Sequence, residues 1–142
     1  MIRSLMAQDA AALARICHDA LGHAGSPEWI RQRILQLGDK DEYRLTAWVD
    51  EDNTVKGFLQ AQKYQLLYGT DGWNIIALAV LPEAQRRGIG KALLTALEEH
   101  AKEDGASFIR LNSRLERAEA HGFYEHMGYC CDKTQKRFIK YL

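Results

Sequence analysis

The chain of 142 residues balances 19 Lys and Arg against 19 Asp and Glu, is 46% hydrophobic and has only two prolines. That length suits one domain with a core of its own and excludes a second of ordinary size. Zero formal charge excludes a general attraction to nucleic acid or anionic lipid, so any polyanion must be met by a local patch.

No apolar run reaches the ~18–20 residues of a membrane span, and the start, Met1 to Leu5, leads into Asp9 and Arg15 without a signal-peptide apolar region. A soluble, cytoplasmic protein is expected. Cys17, Cys130 and Cys131 are odd in number and two are adjacent, which gives neither a disulfide framework nor zinc-ligand spacing. No metal site is expected.

Leu13, Ile16, Cys17, Ala20 and Leu21 recur with helical period, and Gly22 is a natural stop. Ser26-Pro27 reads as an N-cap with proline in the first turn of a shorter helix through Ile30, Ile34 and Leu37 to Gly38. From Tyr43 to Val49 the period becomes two. Asp50 to Asn53 is a turn, and Val55 to Tyr64 is the returning strand of a hairpin. Trp73 to Val80 is a nearly continuous apolar run, as expected of a strand buried on both faces, and Pro82 ends it.

A long amphipathic helix follows, with Ile89, Ala92, Leu93, Ala96, Leu97, His100 and Ala101 on one face and Gly105 at its end. Phe108 to Leu111 is another strand. Ala120, Phe123, Tyr124 and Met127 mark a helix ending at Gly128; Cys130 and Cys131 are expected in a strand as reduced thiols, and Phe138 to Leu142 as a terminal strand. Lys133, Lys136, Arg137 and Lys140 read as solvated edge-strand charge, and the scattered histidines lack ligand spacing.

The chemistry is concentrated between Val80 and Lys91. Gly88 and Gly90 stand in the first turn of the long helix, where each costs roughly 1 kcal/mol relative to alanine. Glycines there are explained if the backbone must approach a ligand closely. Free N–H groups at a helix start make an anion site, and Arg86, Arg87 and Lys91 add three cations. A phosphate-bearing ligand is the natural occupant. A P-loop fails because Gln85 replaces its first glycine and Ala92 its Ser or Thr. A dinucleotide fingerprint fails because Leu93 stands where a small residue is needed.

What fits is the Q/R-x-x-G-x-G/A pattern, met by Gln85, Gly88 and Gly90 between a buried strand and a long helix. The chain thereby resembles the GNAT (GCN5-related) N-acetyltransferases. Ala120 to Tyr129, with Tyr124 and Gly128, is similar to a second block of that superfamily. The resemblance is clear over roughly residues 73–142 and otherwise extends only to element order.

It implies a single-domain α/β fold over residues 1–142, a mixed central sheet flanked by about four helices, in the order β-α-α-β-β-β-α-β-α-β with an optional further strand. It also implies direct transfer of an acetyl group from acetyl-CoA to a primary amine of a small molecule, without a metal. The cofactor pyrophosphate would rest on Gln85, Arg86, Arg87, Gly88, Ile89, Gly90 and Lys91, and its pantetheine arm beside Leu78, Ala79 and Val80. Tyr124 corresponds to the tyrosine that protonates the leaving sulfur. Asn112 and Arg117 are further candidates for cofactor contact, and His121 for a proton relay. Trp29, Tyr43, Tyr64 and Tyr68 lie in segments that line the family's acceptor pocket.

The general base departs from the family pattern. Ala77 and Asn112 occupy the positions where relatives carry a carboxylate. Some small-amine acetyltransferases, among them those of aminoalkylphosphonates, share the run Arg117 to Tyr124. A protein or peptide acetyltransferase and a CoA-binding regulatory module without turnover are the alternatives. The resemblance also points to a homodimer by analogy, with no membrane or nucleic-acid partner.

Overall fold

The computed structural model describes all residues from Met1 to Leu142. The chain forms two compact units, Met1–Leu111 and Asn112–Leu142. The first contains β1 (Ile2–Ser4), α1 (Ala10–Leu21), α2 (Pro27–Leu37), β2 (Tyr43–Val49), β3 (Val55–Tyr64), β4 (Gly72–Val80), α3 (Ile89–Glu103) and β5 (Phe108–Leu111). Its five strands lie in sequence order. β1 to β4 pair antiparallel, and β5 joins β4 in parallel after the crossover through α3, so the sheet is mixed as expected.

Local chemistry accounts for the boundaries. α1 stops at Gly22, where the N–H groups of Gly22 and His23 return to the carbonyls of His18 and Cys17. Ser26 Oγ accepts from the Trp29 N–H at 3.0 Å and Pro27 occupies the first turn of α2. Gly72 is needed for packing. A Cβ there would lie 2.3 Å from the Phe108 ring, which crosses this position to meet Tyr64 edge-on at 6.1 Å.

α3 covers one sheet face. Ile89 packs over Gly57, His100 meets Trp73 edge-on at 5.3 Å, and Lys63 pairs with Asp104 at 3.3 Å. Trp73, Leu59, Leu93 and Leu94 are wholly buried there, each contributing roughly 1.5–3 kcal/mol. The opposite face carries Phe58 and Ala79, both buried, and α1 packs against β3 and β4 on that side. Both faces of β4 are thus covered over part of its length, which explains its apolar run.

One charge pair fastens the first residues. Asp9 is buried and accepts two hydrogen bonds from Arg3, at 2.8 and 2.9 Å, and one from the Met6 N–H at 2.7 Å. Burial alone would raise its pKa, but Arg3 and the Met6 amide outweigh burial and hold the carboxyl below its ordinary value. A carboxylate with a depressed folded-state pKa stabilises the fold above its unfolded value and loses that contribution as pH falls through the folded value. Replacing Asp9 with Ala is expected to cost about 3 kcal/mol in urea unfolding at neutral pH. Asp9→Asn should flatten the acid limb of the stability curve; an unchanged limb would show that other carboxylates set it.

In the second unit, α4 spans Ala118–His126 and is followed by Gly128 in the left-handed region. Residues 130–142 are exposed and form no regular element. The expected terminal strand at Phe138 to Leu142 is therefore absent, and Cys130 and Cys131 are exposed thiols outside any strand. The reason lies in the pattern. Phe138, Ile139, Tyr141 and Leu142 make an apolar run that suits a strand only where both faces are covered, and all four are exposed.

Candidate functional site

The site in the first unit begins with an irregularity in β4. Gln60 of β3 is opposite Ala77 and Ala61 is opposite Ile75, so Ile76 is an extra residue, a bulge that leaves its side chain 47% exposed. The parallel ladder with β5 ends at the same place, with Ile75 opposite Leu111. Beyond it, β4 keeps β3 on one side and has no strand on the other.

The orientation of this open edge follows from the ladder. The Leu81 N–H donates to the Lys56 carbonyl of the β3 side at 2.9 Å. Amide groups alternate along a strand, so Ala79 turns its N–H and C=O toward β3 while Leu78 and Val80 turn theirs outward. Of the three strand residues expected to meet a ligand, Leu78 and Val80 turn their backbone groups to the side away from β3 and Ala79 serves the ladder. At the far end, the Gln85 side-chain amide donates to the Val80 carbonyl at 3.2 Å, which ties the following loop to the strand.

That loop leads directly into α3. Arg86 and Gly88 adopt φ of 66° and 80°, two left-handed residues separated by one. A non-glycine residue in that region is uncommon and a recognised sign of a functional constraint. Alternating conformations of this kind turn successive N–H groups toward one concavity that favours anions. No side chain caps the helix N-terminus at Gly88, so the first amides, of Ile89, Gly90 and Lys91, face outward with the positive end of the dipole. Arg86 and Lys91 are exposed beside them, whereas Arg87 lies over the Trp48 ring, 5.5 Å from its centroid. Arg15 of α1 pairs with Glu83 in the turn before the loop.

Sequence reading missed a polar row across the face opposite α3. Tyr43, Gln62, Asn74 and Arg110 stand opposite one another on β2, β3, β4 and β5. Gln62 donates to the Tyr43 hydroxyl at 3.2 Å and Arg110 to Asn74 Oδ1 at 2.5 Å. The Arg110 guanidinium also lies over the Tyr64 ring, 4.9 Å from its centroid. The one local signal was a polar residue inside each of two apolar strands, Asn74 and Arg110. Of the four expected pocket aromatics, Tyr43 belongs to this row and Tyr64 lies beside it. Trp29 is exposed and stacked with Arg33 at 5.0 Å, and Tyr68 is exposed.

In the second unit, Tyr124 is half-buried between Phe123 and Tyr129, whose rings meet it edge-on at 5.2 and 5.9 Å. Burial raises its pKa above the ordinary phenol value, partly offset by the positive charge of Arg117. Arg117 stands exposed at the N-terminus of α4, and Asn112 is exposed at the start of the unit. His121 Nε2 lies 2.7 Å from the Arg114 carbonyl, which engages the ring as a donor. No group of His, Cys, Asp and Glu is placed to hold a metal ion, and no helix is long and apolar enough to cross a membrane.

Comparison with known proteins bears on this arrangement. The model of the acetyltransferase (GNAT) family matches residues 10–129. The aminoalkylphosphonate N-acetyltransferase of Salmonella typhimurium is 38% identical over 69 residues, 49% of this chain and 44% of that enzyme. The matched stretch thus spans less than half of that relative. A solved structure described as a transcriptional regulator from Bacillus halodurans superposes with a TM-score of 0.86 at 21% identity over 99% of both chains. An acetyltransferase from Trypanosoma brucei gives 0.82 at 19% identity, again over 99% of both. Identities this low speak for the fold alone.

Proposed function

The chain belongs to the GNAT acetyltransferase family, and from that premise we propose that it transfers the acetyl group of acetyl-CoA directly to a primary amine of a small molecule. The observation that carries the reading is the continuity of two binding features, the open β4 edge at Leu78 and Val80 and the uncapped α3 N-terminus. An extended amide-bearing arm ending in a pyrophosphate matches that pair in order. Its amides would pair with the strand edge and its phosphates would lie on the amides of Arg86 to Lys91, near Arg86 and Lys91, the Gln85 N–H being returned to the Pro82 carbonyl. The family match runs through both units, which supports treating residues 1–142 as one acetyltransferase domain. Three free cysteines fit a cytoplasmic setting.

The bound thioester supplies an activated acetyl group. The amine nitrogen attacks its carbonyl carbon, the C–N bond forms, the C–S bond breaks, and the products are an amide and a free thiol. Negative charge builds on the carbonyl oxygen as the amine attacks, and an outward N–H of the β4 edge is the donor that meets it. One proton leaves the nitrogen and one reaches the sulfur. We assign the second transfer to Tyr124, a phenol protonated at neutral pH at its ordinary pKa and made more so by burial. Neither Ala77 nor Asn112 supplies a carboxylate for the first transfer, which falls to water or to a residue of the N-terminal half.

The reading is tested by thiol release from acetyl-CoA across amines, polyamines, aminosugars, amino acids and peptides. Turnover confined to peptides would overturn the small-molecule acceptor, and tight CoA binding without turnover would identify a regulatory module. Tyr124→Phe is expected to lower the rate by ~10²-fold or more and leave CoA affinity unchanged. Wild-type rates in that variant would make Tyr124 a packing residue.

A further inference from the structure

Resting on the acetyl-CoA reading, we propose that Trp48 is a positioning residue for the co-substrate. Its ring holds Arg87 and so fixes the turn through Arg86 and Gly88. Arg87 thereby shapes the loop, while Arg86 and Lys91 supply the side-chain charge that meets the phosphates.

The backbone between β4 and α3 sets the problem. Gly88 takes its φ of 80° at no steric cost. Arg86, at 66°, carries a Cβ and stays left-handed only where its surroundings over-determine it. Both ends of the segment are fixed. The Gln85 N–H donates to the Pro82 carbonyl at 3.3 Å, and its side chain to the Val80 carbonyl at 3.2 Å. Ile89 is buried in a notch of the sheet, where Trp48, Gly57 and Val80 stand opposite one another on β2, β3 and β4. A Cβ at Gly57 would come within 2.9 Å of Ile89 Cγ2. The residue between the two left-handed positions is Arg87. It is exposed, and the contact that holds its guanidinium is the half-buried Trp48 ring, 5.5 Å away at the centroid. Tryptophan is the best aromatic partner for such a cation, and the planar guanidinium suits stacking.

Strand order decides what Arg87 is for. β4 has β3 on one side and, beyond Ile75, no strand on the other. Trp48 belongs to β2, two strands from β4 on the covered side, roughly 10 Å across the sheet. A guanidinium resting on that ring is drawn away from the edge along which the co-substrate arm would lie. Arg87 therefore restrains the middle of the loop, as Gln85 and Ile89 restrain its ends. Three anchors hold the amides of the turn in one concavity before any ligand arrives. Without the ring the loop keeps its ends and loses its middle, and Arg86 is free to leave the left-handed region. The loss then falls on affinity, because the ligand itself has to order the amides it binds.

The test is calorimetric titration of the full chain with CoA, together with acetyl-transfer kinetics. Trp48→Leu is expected to weaken CoA binding about fivefold, the range of one cation–π contact. KM for acetyl-CoA should rise to match while kcat holds. Trp48→Phe keeps a ring face and should restore most of the affinity. Arg87→Ala, at an exposed position, should show the same loss as Trp48→Leu, and combining the two should cost nothing further. The same cycle run with Trp48→Met covers the case in which the leucine variant does not fold. Additive losses, or a loss with Arg87→Ala while Trp48→Leu binds normally, would make Arg87 a direct phosphate contact and overturn the proposal. Full affinity in both single variants overturns it as well. CoA binding that follows the cycle without transfer to any amine upholds the positioning role and removes the transferase. Acetyl transfer with an affinity indifferent to Trp48 keeps the transferase and removes the positioning role. A wild-type protein that binds no CoA overturns both.

Discussion

Replacing Leu78 with proline is expected to reduce acetyl transfer by about 10²–10³-fold, the loss typical of one preorganised donor to a developing oxyanion. The alternation of β4 makes this a selective change. Leu78 turns its N–H away from β3, so a proline at this position removes no ladder hydrogen bond and only fixes φ within the extended range. The melting temperature should therefore change little while the rate collapses. The control is Ala79→Pro, which removes an N–H directed at β3 and should destabilise the sheet itself. A Leu78→Pro protein that folds and turns over normally would remove the strand edge from the mechanism.

Replacing Gly88 with valine is expected to abolish measurable CoA binding while the protein remains folded. A Cβ at Gly88 would meet nothing within 4 Å, so no collision inside the protein forbids the substitution. The difficulty is the backbone, because φ at this residue is 80° and an L-residue pays roughly 1–2 kcal/mol there, more when β-branched. The chain relieves that cost by rotating out of the left-handed region, which turns away the amides at the start of α3. Gly88→Asn is the informative partner, since asparagine tolerates this conformation. It should recover most of the affinity that valine loses. Calorimetric titration with CoA measures both, and full affinity in the valine variant would take the loop out of the site.

Legibility in the sequence followed the range of the interactions. Helix ends were readable because Ser26, Gly22 and Gly105 act on neighbours a few residues away. The turn from β4 into α3 was readable for the same reason, since Gln85 to Lys91 is continuous in sequence. The bulge at Ile76 was not, because an apolar run has no mark for an unpaired residue and the offset exists only relative to β3. Nor was the row from Tyr43 to Arg110, whose members come from four strands and meet only when the register is known. The terminal strand was expected from apolar content at Phe138 to Leu142, which a strand needs only where neighbours cover it, and these residues are exposed.

The open stretch of β4 also bears on how the protein behaves before it meets its co-substrate. An unpaired strand edge is a template for any other extended chain, including a second copy of the same molecule. Here the edge begins beside an exposed isoleucine and carries neither a proline nor a charged side chain from Ile76 to Val80, so its shortness and the bulge at Ile76 are the safeguards against self-association on the strand itself. The same absence of obstruction lets an amide-bearing ligand lie along the strand. A ligand lying along the strand would add to that protection by satisfying the outward groups of Leu78 and Val80.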